Sequence, residues 1–467
     1  MTRAGTGKTY LAAFDVRNYI CSSNKPIKLL FLVHRKRILQ QAEESFKDVM
    51  GEGISTGDSS CDIYDVDFLF STTSLMSKEH IYQQFEKNYF DYIIVDEAHR
   101  AGADGYLRFL NYFNPKFLLG MIATPERPDG FDVYQLFDHN IAYEVRLNKA
   151  MEEKLLCPFH YFGITELEID GNVIDDSDFD DIFPFLVSEE RVKHIISEIN
   201  FYGFSGERVK GLMFCRNIKE ADELSRLFNQ RGYRTVSINS KNDVNIEESI
   251  NRLEQDEWNN GLEYIFTVDM FNEGIDIPEI NQIIMLRPTQ SNIVFVQQLG
   301  RGLRKSKDKE YVVVIDFIGN YTKIFLIPIA LSGDKTYNKD NIRRYVNEGN
   351  RIIPGCSTVN FDEISRKRIF DAIDAASFSE VKLIKEEYFA LKNKLGQIPQ
   401  ISDFDKYDSI DILRIFENKN LGSYHKFLSK YDKDYNIILS EKQSEMICFI
   451  SQKLASGKRI HELELLK

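Results

Sequence analysis

The sequence predicts an α/β fold with two parallel-sheet lobes in tandem and a mostly helical C-terminal region. The first observation is that short apolar runs alternate with amphipathic stretches, as in parallel sheets covered by helices. The second is that this pattern occurs twice and fades after Leu331. A chain of 467 residues has room for about three domains, which agrees with two lobes and an extension.

In the first lobe, residues 29–33, 92–95 and 117–122 are near-continuous apolar runs. Such runs are typical of strands that are covered on both faces. Between the first two runs, apolar residues recur at helical spacing, namely Leu39, Ala42, Phe46 and Val49. The local pattern therefore predicts strands joined by helices.

The second lobe begins near Val209 and repeats this pattern. Four apolar runs are predicted to be buried strands, at residues 212–215, 264–268, 283–286 and 312–315. Asn217, with Glu220 three residues later, is a capping-box start for a helix, and Gly232 can end it.

These patterns divide the chain into four parts. We expect a first lobe at 1–150, a connector at 151–190, a second lobe at 191–330 and a mostly helical extension at 331–467. The connector is predicted from an acidic stretch without basic residues, interpreted as solvated: Glu166, Glu168, Asp170, Asp175, Asp176, Asp178, Asp180 and Asp181.

Composition excludes several classes of protein. The 72 acidic and 59 basic residues give a net charge of -13, so any grip on nucleic acid is expected in a local groove. The six cysteines are scattered without zinc-ligand spacing and are interpreted as reduced thiols. No apolar run approaches the ~18 residues of a membrane span. The expected location is the cytoplasm, without membrane contact.

The first chemical motif is a glycine-rich turn that runs into a helix: Gly5, Thr6, Gly7, Lys8 and Thr9. Backbone N–H groups in such a turn can surround a phosphate, the lysine supplies a positive charge, and the threonine hydroxyl suits Mg²⁺. Thr2 stands where the general pattern has its first glycine. An ordinary glycine-rich turn is the alternative.

The second motif is Asp96 and Glu97, which directly follow a predicted strand. Ligands of open parallel sheets bind at the carboxyl ends of strands. One carboxylate there can orient hydrated Mg²⁺, and the other can activate the attacking water. A solvated acidic turn is the alternative.

The third motif lies in the second lobe. Gln297, Gly300, Arg301 and Arg304 have helical spacing, so on a helix they would share one face, with Gly300 allowing close approach. An arginine that crosses a cleft can stabilise a transferring phosphoryl group. A surface helix with two solvated arginines is the alternative.

Taken in order, these motifs resemble those of superfamily 2 helicases of the DEAH-box type, over residues 1 to 330. The resemblance adds further segments to the three motifs: 33–35 with 39–40, 71–75, 96–99, 123–125 and 267–276. A closer similarity is to bacterial helicases related to restriction-enzyme motor subunits, which carry a helical C-terminal extension. It rests on residues 159–164, 271–276 and 338–341.

The resemblance implies two RecA-like lobes with ATP and Mg²⁺ between them. It assigns the phosphates to Gly5, Thr6, Gly7 and Lys8, the metal to Thr9 and Asp96, water activation to Glu97, and γ-phosphate sensing to Gln297, Arg301 and Arg304. Gly274 and Asp276 belong to the ATP site, and with His99 and Thr124 they couple it to lobe closure. Nucleic-acid contacts are implied for His34, Arg35, Thr72, Thr73 and Thr267.

Two features depart from this family. Ile122 stands where the family has Ser or Thr before Ala123 and Thr124, which removes a hydroxyl from the coupling segment. The phosphate loop also starts the chain, whereas the family places a buried strand before it. We therefore expect the chain to be part of a longer protein that is truncated before the phosphate loop.

The expected function is nucleic-acid-dependent ATP hydrolysis that drives translocation or strand separation, with DNA favoured over RNA. A nuclease domain or subunit is an expected type of partner. The alternatives are a nucleic-acid-binding fragment without a working ATP site and, with less support, a small-molecule kinase or nucleotidase, which would not need a second lobe bearing Arg301 and Arg304.

Overall fold

The structure is a computed structural model. It describes residues 7–23, 25–34, 36–51, 55–58, 66–98, 104–122, 132–145, 147–169, 172–173, 179–239, 245–255, 260–268, 277–288, 291–334, 337–352, 356–376, 381–407 and 409–454. No helix in these residues is long and apolar enough to span a membrane. The five cysteines among them are all free.

The first lobe contains a five-stranded parallel sheet in the order β2-β3-β1-β4-β5. Buried side chains form one core on each face of this sheet. Its elements are α1 (Lys8–Ser23), β1 (Leu29–Val33), α2 (Lys36–Met50), β2 (Thr56–Asp58), β3 (Phe68–Thr72), α3 (Thr73–Met76), α4 (Glu79–Tyr82), β4 (Tyr92–Asp96), α5 (Asp104–Tyr112), β5 (Phe117–Met121) and a 3₁₀ helix (Tyr134–Phe137).

The three strands predicted in this lobe are confirmed, but one of them is only partly covered. Every residue of β1 is buried, because β1 is a central strand whose side chains enter the two cores on the opposite faces of the sheet. In contrast, β5 lies at the edge of the described sheet, and Phe117 at its start is 43% exposed. An apolar run predicts a strand without revealing whether both of its edges are paired.

The second lobe contains a seven-stranded parallel sheet in the order β10-β11-β9-β12-β13-β6-β14. Its elements up to residue 332 are α6 (Leu147–Glu152), β6 (Phe159–Thr165), the hairpin β7 (Glu168–Ile169) and β8 (Asn172–Val173), α7 (Phe179–Leu186), α8 (Glu189–Tyr202), β9 (Gly211–Phe214), α9 (Ile218–Gln230), β10 (Thr235–Ile238), α10 (Ile246–Glu254), β11 (Tyr264–Thr267), β12 (Gln282–Met285), α11 (Asn292–Gly300), β13 (Val312–Ile318) and α12 (Leu326–Ser332). The predicted second α/β lobe is confirmed.

The C-terminal region is mostly helical, as predicted. It comprises α13 (Lys339–Ile352), β14 (Thr358–Phe361), α14 (Glu363–Ala375), α15 (Val381–Leu395), α16 (Ile401–Lys406), α17 (Leu413–Glu417), α18 (Tyr424–Tyr431) and α19 (Glu441–Lys453). A single buried cluster runs from Tyr161 in β6 through Ile373 in α14 to Phe427 in α18. The helical region therefore shares its core with the second lobe.

Two strands of the second sheet come from outside the segment predicted to be that lobe. β6 lies within the predicted connector, and β14 lies within the predicted helical extension. β6 pairs in parallel with β13 on one side and with β14 on the other. Apolar residues at 159, 161 and 164 are buried in this pairing. The strand was not predicted, because the acidic residues that follow it led the whole segment to be interpreted as a connector.

Glu166 corrects the interpretation of the acidic stretch as solvated. It is fully buried and accepts hydrogen bonds from Arg191 at 3.1 and 2.8 Å, while Arg191 also donates to Glu220 at 2.9 Å. Burial opposes the charge of Arg191, but the two carboxylates hold its pKa above the ordinary value. Burial raises the pKa of Glu220 against the influence of Arg191. The cluster joins the end of β6 to α8 and α9.

The predicted capping box at α9 forms only in part. The side chain of Asn217 accepts the backbone N–H of Glu220 at 3.0 Å, as predicted, and Gly232 has a positive φ of 90° just after the helix. The Glu220 carboxylate instead accepts from the backbone of Arg216 and from Arg191. Because a buried arginine lies nearby, the glutamate serves the core rather than closing the box.

Candidate functional site

The carboxyl edge of the first sheet brings together residues from separate segments of the chain. Thr72 pairs with Val33, and Asp96 pairs with Met121, at the ends of four neighbouring strands. His34 follows β1 directly and is exposed, and Thr73 begins α3 directly after β3. Parallel topology therefore places three of the predicted motifs along one edge, where ligands of such sheets bind.

Lys8 and Glu97 meet at this edge. The ammonium nitrogen of Lys8 lies 3.8 Å from Oε1 of Glu97, and the two side chains are 11% and 17% exposed. Gly7, just before α1, has a positive φ of 73°, which a residue without Cβ adopts readily. The backbone turn at Gly7 thus starts α1 with Lys8 and Thr9 in its first turn, and the side chain of Lys8 brings this end of the helix to the Glu97 carboxylate.

Asp96 is held in an unusual electrostatic environment. Its carboxyl keeps some solvent contact but is densely surrounded by protein, and this burial raises its pKa. Lys8 opposes the rise, Glu97 adds to it, and the Glu97 backbone N–H donates to Asp96 Oδ1 at 3.1 Å. Arg304, from the second lobe, also opposes the rise. The electrostatic environment of Asp96 therefore includes a cation of the second lobe.

Glu97 has a strained backbone. Its φ is +53°, in the left-handed region that residues with a Cβ seldom adopt. Such conformations cost about 1 to 3 kcal/mol and cluster at functional sites. Ala98, the next residue, is fully buried and anchors the turn. The strain lies at the residue that is predicted to activate the attacking water.

The predicted helical face in the second lobe is wrong in part. α11 ends at Gly300, so Gln297 lies on the helix while Arg301 lies in the following turn and Arg304 beyond it. Backbone bonds from Arg301 to Gln298 O and from Gly302 to Leu299 O, both 3.2 Å, tighten the chain into this turn. The two glycines at 300 and 302 disfavour continuation of the helix.

Gly302, a glycine that the predicted motif did not single out, permits close packing within the protein at this turn. A Cβ on Gly300 would meet no atom within 4 Å, whereas a Cβ on Gly302 would lie 3.0 Å from both Ile283 and Val312. Gly302 therefore lets the turn between the two arginines settle against the sheet.

Lys309 is a residue that the sequence analysis missed. It is 8% exposed, and its ammonium donates to three backbone carbonyls, those of Gly302 at 2.9 Å, Ile280 at 3.0 Å and Pro278. It thereby ties the arginine-bearing turn to the segment that precedes β12. A lone lysine in a polar stretch gives no local signal of this role.

The residues predicted to contact nucleic acid lie in different surroundings. His34 is exposed and Thr73 is half-buried, whereas Thr72 is 7% exposed and its hydroxyl lies 3.3 Å from that of Ser74. Thr267, at the end of β11, is fully buried, and its hydroxyl has no hydrogen-bond partner among the described residues. The other predicted site residues lie outside the described part of the chain: Gly5, Thr6, Arg35, His99, Thr124, Gly274 and Asp276.

Three family models match separate parts of the chain. A type III restriction enzyme res subunit model matches residues 2–127, and a helicase conserved C-terminal domain model matches residues 190–306. A domain of unknown function, DUF8090, matches residues 384–467. The first two matches fall on the two lobes, and the third falls on the helical region.

Curated relatives align with about two thirds of the chain. A putative ATP-dependent helicase, IRC3 of Saccharomyces cerevisiae, is 28% identical over 336 residues, which are 68% of this chain and 47% of the relative. The EcoAI type I restriction enzyme endonuclease subunit of Escherichia coli is 23% identical over 344 residues, 67% of this chain and 42% of the relative. The chain thus spans about half the length of these relatives.

Two solved structures share the fold. The type ISP restriction-modification enzyme LlaBIII, solved bound to DNA, has a TM-score of 0.55 at 17% identity and covers 100% of this chain and 39% of its own. A putative HsdR subunit fragment from Vibrio vulnificus has a TM-score of 0.51 at 23% identity and covers 68% and 59%. The chain thus has two RecA-like lobes, with a type III restriction enzyme res subunit domain on the first and a helicase conserved C-terminal domain on the second, and its relatives include a putative ATP-dependent helicase and a type I restriction enzyme subunit.

Proposed function

We propose that this chain hydrolyses ATP between its two lobes and that nucleic acid, DNA in preference to RNA, stimulates the hydrolysis to drive translocation or strand separation. The observation that carries the proposal is the convergence of Lys8, Glu97 and Asp96 with the influence of Arg304 from the opposite lobe. The preference for DNA is supported by the likeness to a restriction subunit and to an enzyme solved bound to DNA.

In this mechanism, each residue acts on a different part of the nucleotide. Lys8 neutralises phosphate oxygens as a point charge, and Glu97 accepts a proton from the attacking water. Arg304, with Arg301 and Gln297, stabilises charge that develops on the transferring phosphoryl group. Thr9 and Asp96 offer a hydroxyl and a carboxylate, ligand types that suit Mg²⁺, which would neutralise phosphate charge when bound.

The remaining assignments concern the response to nucleic acid. His34, Arg35, Thr72, Thr73 and Thr267 are proposed to contact its backbone, because hydroxyl, imidazole and guanidinium groups suit phosphates better than base edges. Gly274, Asp276, His99 and Thr124 are proposed to couple the nucleotide to lobe closure. Closing and opening of the lobes would then alternate the grip on the strand.

The test is ATP turnover by the purified chain with Mg²⁺, alone and with single-stranded DNA, duplex DNA or RNA of equal length. We expect the fastest turnover with DNA and its loss in Glu97→Gln. Glu79→Gln is the matched control, since Glu79 is an exposed residue of the same lobe. Binding of DNA without any turnover in the unmodified chain would favour a nucleic-acid-binding module that lacks a working ATP site.

A further inference from the structure

The stretch between the two lobes is short and well defined. The 3₁₀ helix belongs to the first lobe, because Phe137 packs on β5 so closely that a Cβ on Gly120 would come within 2.2 Å of its ring. Val145 and Leu147 already belong to the core of the second lobe. We call residues 138–144 the interlobe connector, because they link the two lobes along the chain. A change in the relative orientation of the lobes therefore requires a change in the backbone of these residues.

The interlobe connector has a defined and strained conformation. Asp138 and His139 are consecutive residues with positive φ angles of 50° and 56°, a left-handed pair without glycine. The turn is closed by backbone bonds from His139 to Tyr134 O and from Asn140 to Phe137 O, each 2.9 Å. Such strain persists only when neighbouring structure holds it in place.

The end of α15 supplies one such contact. Nδ1 of His139 lies 2.7 Å from the backbone oxygen of Asn393, and because a carbonyl only accepts, Nδ1 must carry the proton and donate. The imidazole also lies against Gly396, where a Cβ would come within 2.6 Å of the ring. Gly396 ends α15 with a positive φ of 67°. A side chain at 396 would thus disturb both the helix end and the histidine.

A second contact holds the other end of the interlobe connector. The ammonium of Lys394 lies 2.7 Å from Oε2 of Glu144, and the two side chains are 11% and 29% exposed. Lys394 also lies over the ring of Tyr407, 5.1 Å from its centroid. The contact with the ring holds the Lys394 ammonium beside the interlobe connector.

α15 itself is firmly anchored. Ile384, Tyr388 and Leu391 are buried in the core shared with the second lobe. Near its end, Lys392 donates to both carboxylate oxygens of Asp432, at 2.7 and 2.8 Å. The helix can therefore act as a rigid support for the connector.

We propose that the C-terminal helical region fixes the relative orientation of the two lobes by holding the interlobe connector through contacts from α15. The family model that matches this region has no known function. His139 and Lys394 are positioning residues: their contacts hold the relative orientation of the two lobes. The effect on turnover rests on the proposed function, but the effect on lobe orientation does not. Breaking the contacts between α15 and the interlobe connector is expected to widen the range of lobe orientations. Fewer molecules would then have both halves of the site assembled.

The experiment uses charge reversal at the ion pair. Lys394→Glu and Glu144→Lys each break the pair, and the double variant restores it in the opposite sense. Lys382→Glu is the matched control, because Lys382 is an exposed residue at the other end of the same helix. Lobe orientation is measured as the distance distribution between labels carried by unnatural amino acids at the exposed positions 47 and 193.

We expect each single reversal to broaden the distance distribution and to lower kcat by about 2- to 30-fold with little change in KM, and we expect the double reversal to restore both. Unchanged distributions in the single variants would overturn the inference, whether or not the chain hydrolyses ATP. Broadened distance distributions in a chain without ATP turnover would support the positioning role of α15 and contradict only the proposed function.

Discussion

The ammonium nitrogen of Lys8 lies 3.8 Å from Oε1 of Glu97, joining the start of α1 to the end of β4. Although the two side chains are close, experiments on ATP binding and ATP turnover can distinguish their proposed roles. Lys8 contributes a charge that attracts phosphate in both the bound and the reacting nucleotide, whereas Glu97 acts only when water attacks.

The first prediction follows from that separation. Lys8→Ala is expected to weaken ATP binding and turnover together, because a phosphate contact is lost in both states. Glu97→Gln is expected to abolish turnover and largely spare binding. Calorimetric titration with ATP and Mg²⁺, beside steady-state turnover, measures both quantities. Equal losses of binding in the two variants would contradict separate roles.

The second prediction concerns Arg304. Arg304→Lys keeps the charge but loses the planar guanidinium, so turnover is expected to fall by ~10³-fold or more if the residue acts on the transferring phosphoryl group. Arg226→Lys is the control, since Arg226 lies on the exposed side of α9 in the same lobe and pairs with Glu223. A rate close to that of the unmodified chain would remove Arg304 from the reaction and leave Arg301 to be tested.

The third prediction concerns Lys309. In Lys309→Met the carbonyls of Gly302, Ile280 and Pro278 lose their shared donor, which is expected to lower the free energy of unfolding by about 1 to 3 kcal/mol. The turn that bears the arginines loosens as well, so kcat is expected to fall more than ATP affinity. Urea unfolding and steady-state turnover measure the two effects. Lys307→Met, at an exposed neighbouring position, is expected to change neither.

The fourth prediction concerns Asp316, which lies in β13 and accepts a hydrogen bond from Tyr161 at 2.7 Å. Burial raises its pKa from 3.8 to about 7, against the effect of that bond. Between these values the folded state holds a proton that the unfolded state has released, so stability falls as pH rises toward 7. The loss is complete above 7 and is at most about 4 kcal/mol.

Asp316→Asn removes this titration. The stability of the variant relative to the unmodified chain is expected to rise between about pH 5 and about pH 7 and then stay level. Urea unfolding midpoints across this range provide the measurement. Asp308→Asn, at an exposed acid nearby, should show no such trend. Parallel curves for Asp316→Asn and the unmodified chain would mean that the carboxyl titrates alike in both states.

The features that could be predicted are those with a local signature. A strand covered on both faces needs apolar side chains at successive positions, so residues 29–33 and 92–95 were identifiable from the sequence alone. The order of motifs likewise predicted that Lys8 and Asp96 belong to one site, because Lys8 follows a glycine-rich turn and Asp96 follows a buried strand of the same α/β lobe.

The features that escaped prediction depend on distant residues. Glu166 is buried only because Arg191, 25 positions later, neutralises it. Helical spacing placed Arg304 on α11, but packing of Gly302 against the sheet ends the regular helix earlier. Lys309 acquires its role from three carbonyls that the fold brings together. None of these relationships leaves a periodic pattern in the sequence.

The pairing of β6 with both β13 and β14 determines how this chain can be divided. A fragment limited to residues 190–306, the span of the helicase C-terminal domain model, would lose β6, β13 and β14 and leave β12 as an unpaired edge. Open edges of parallel strands invite association between chains. Residues 159–361 are the shortest segment that retains all seven strands, so expression of the second lobe by itself requires sequence from both of its neighbours.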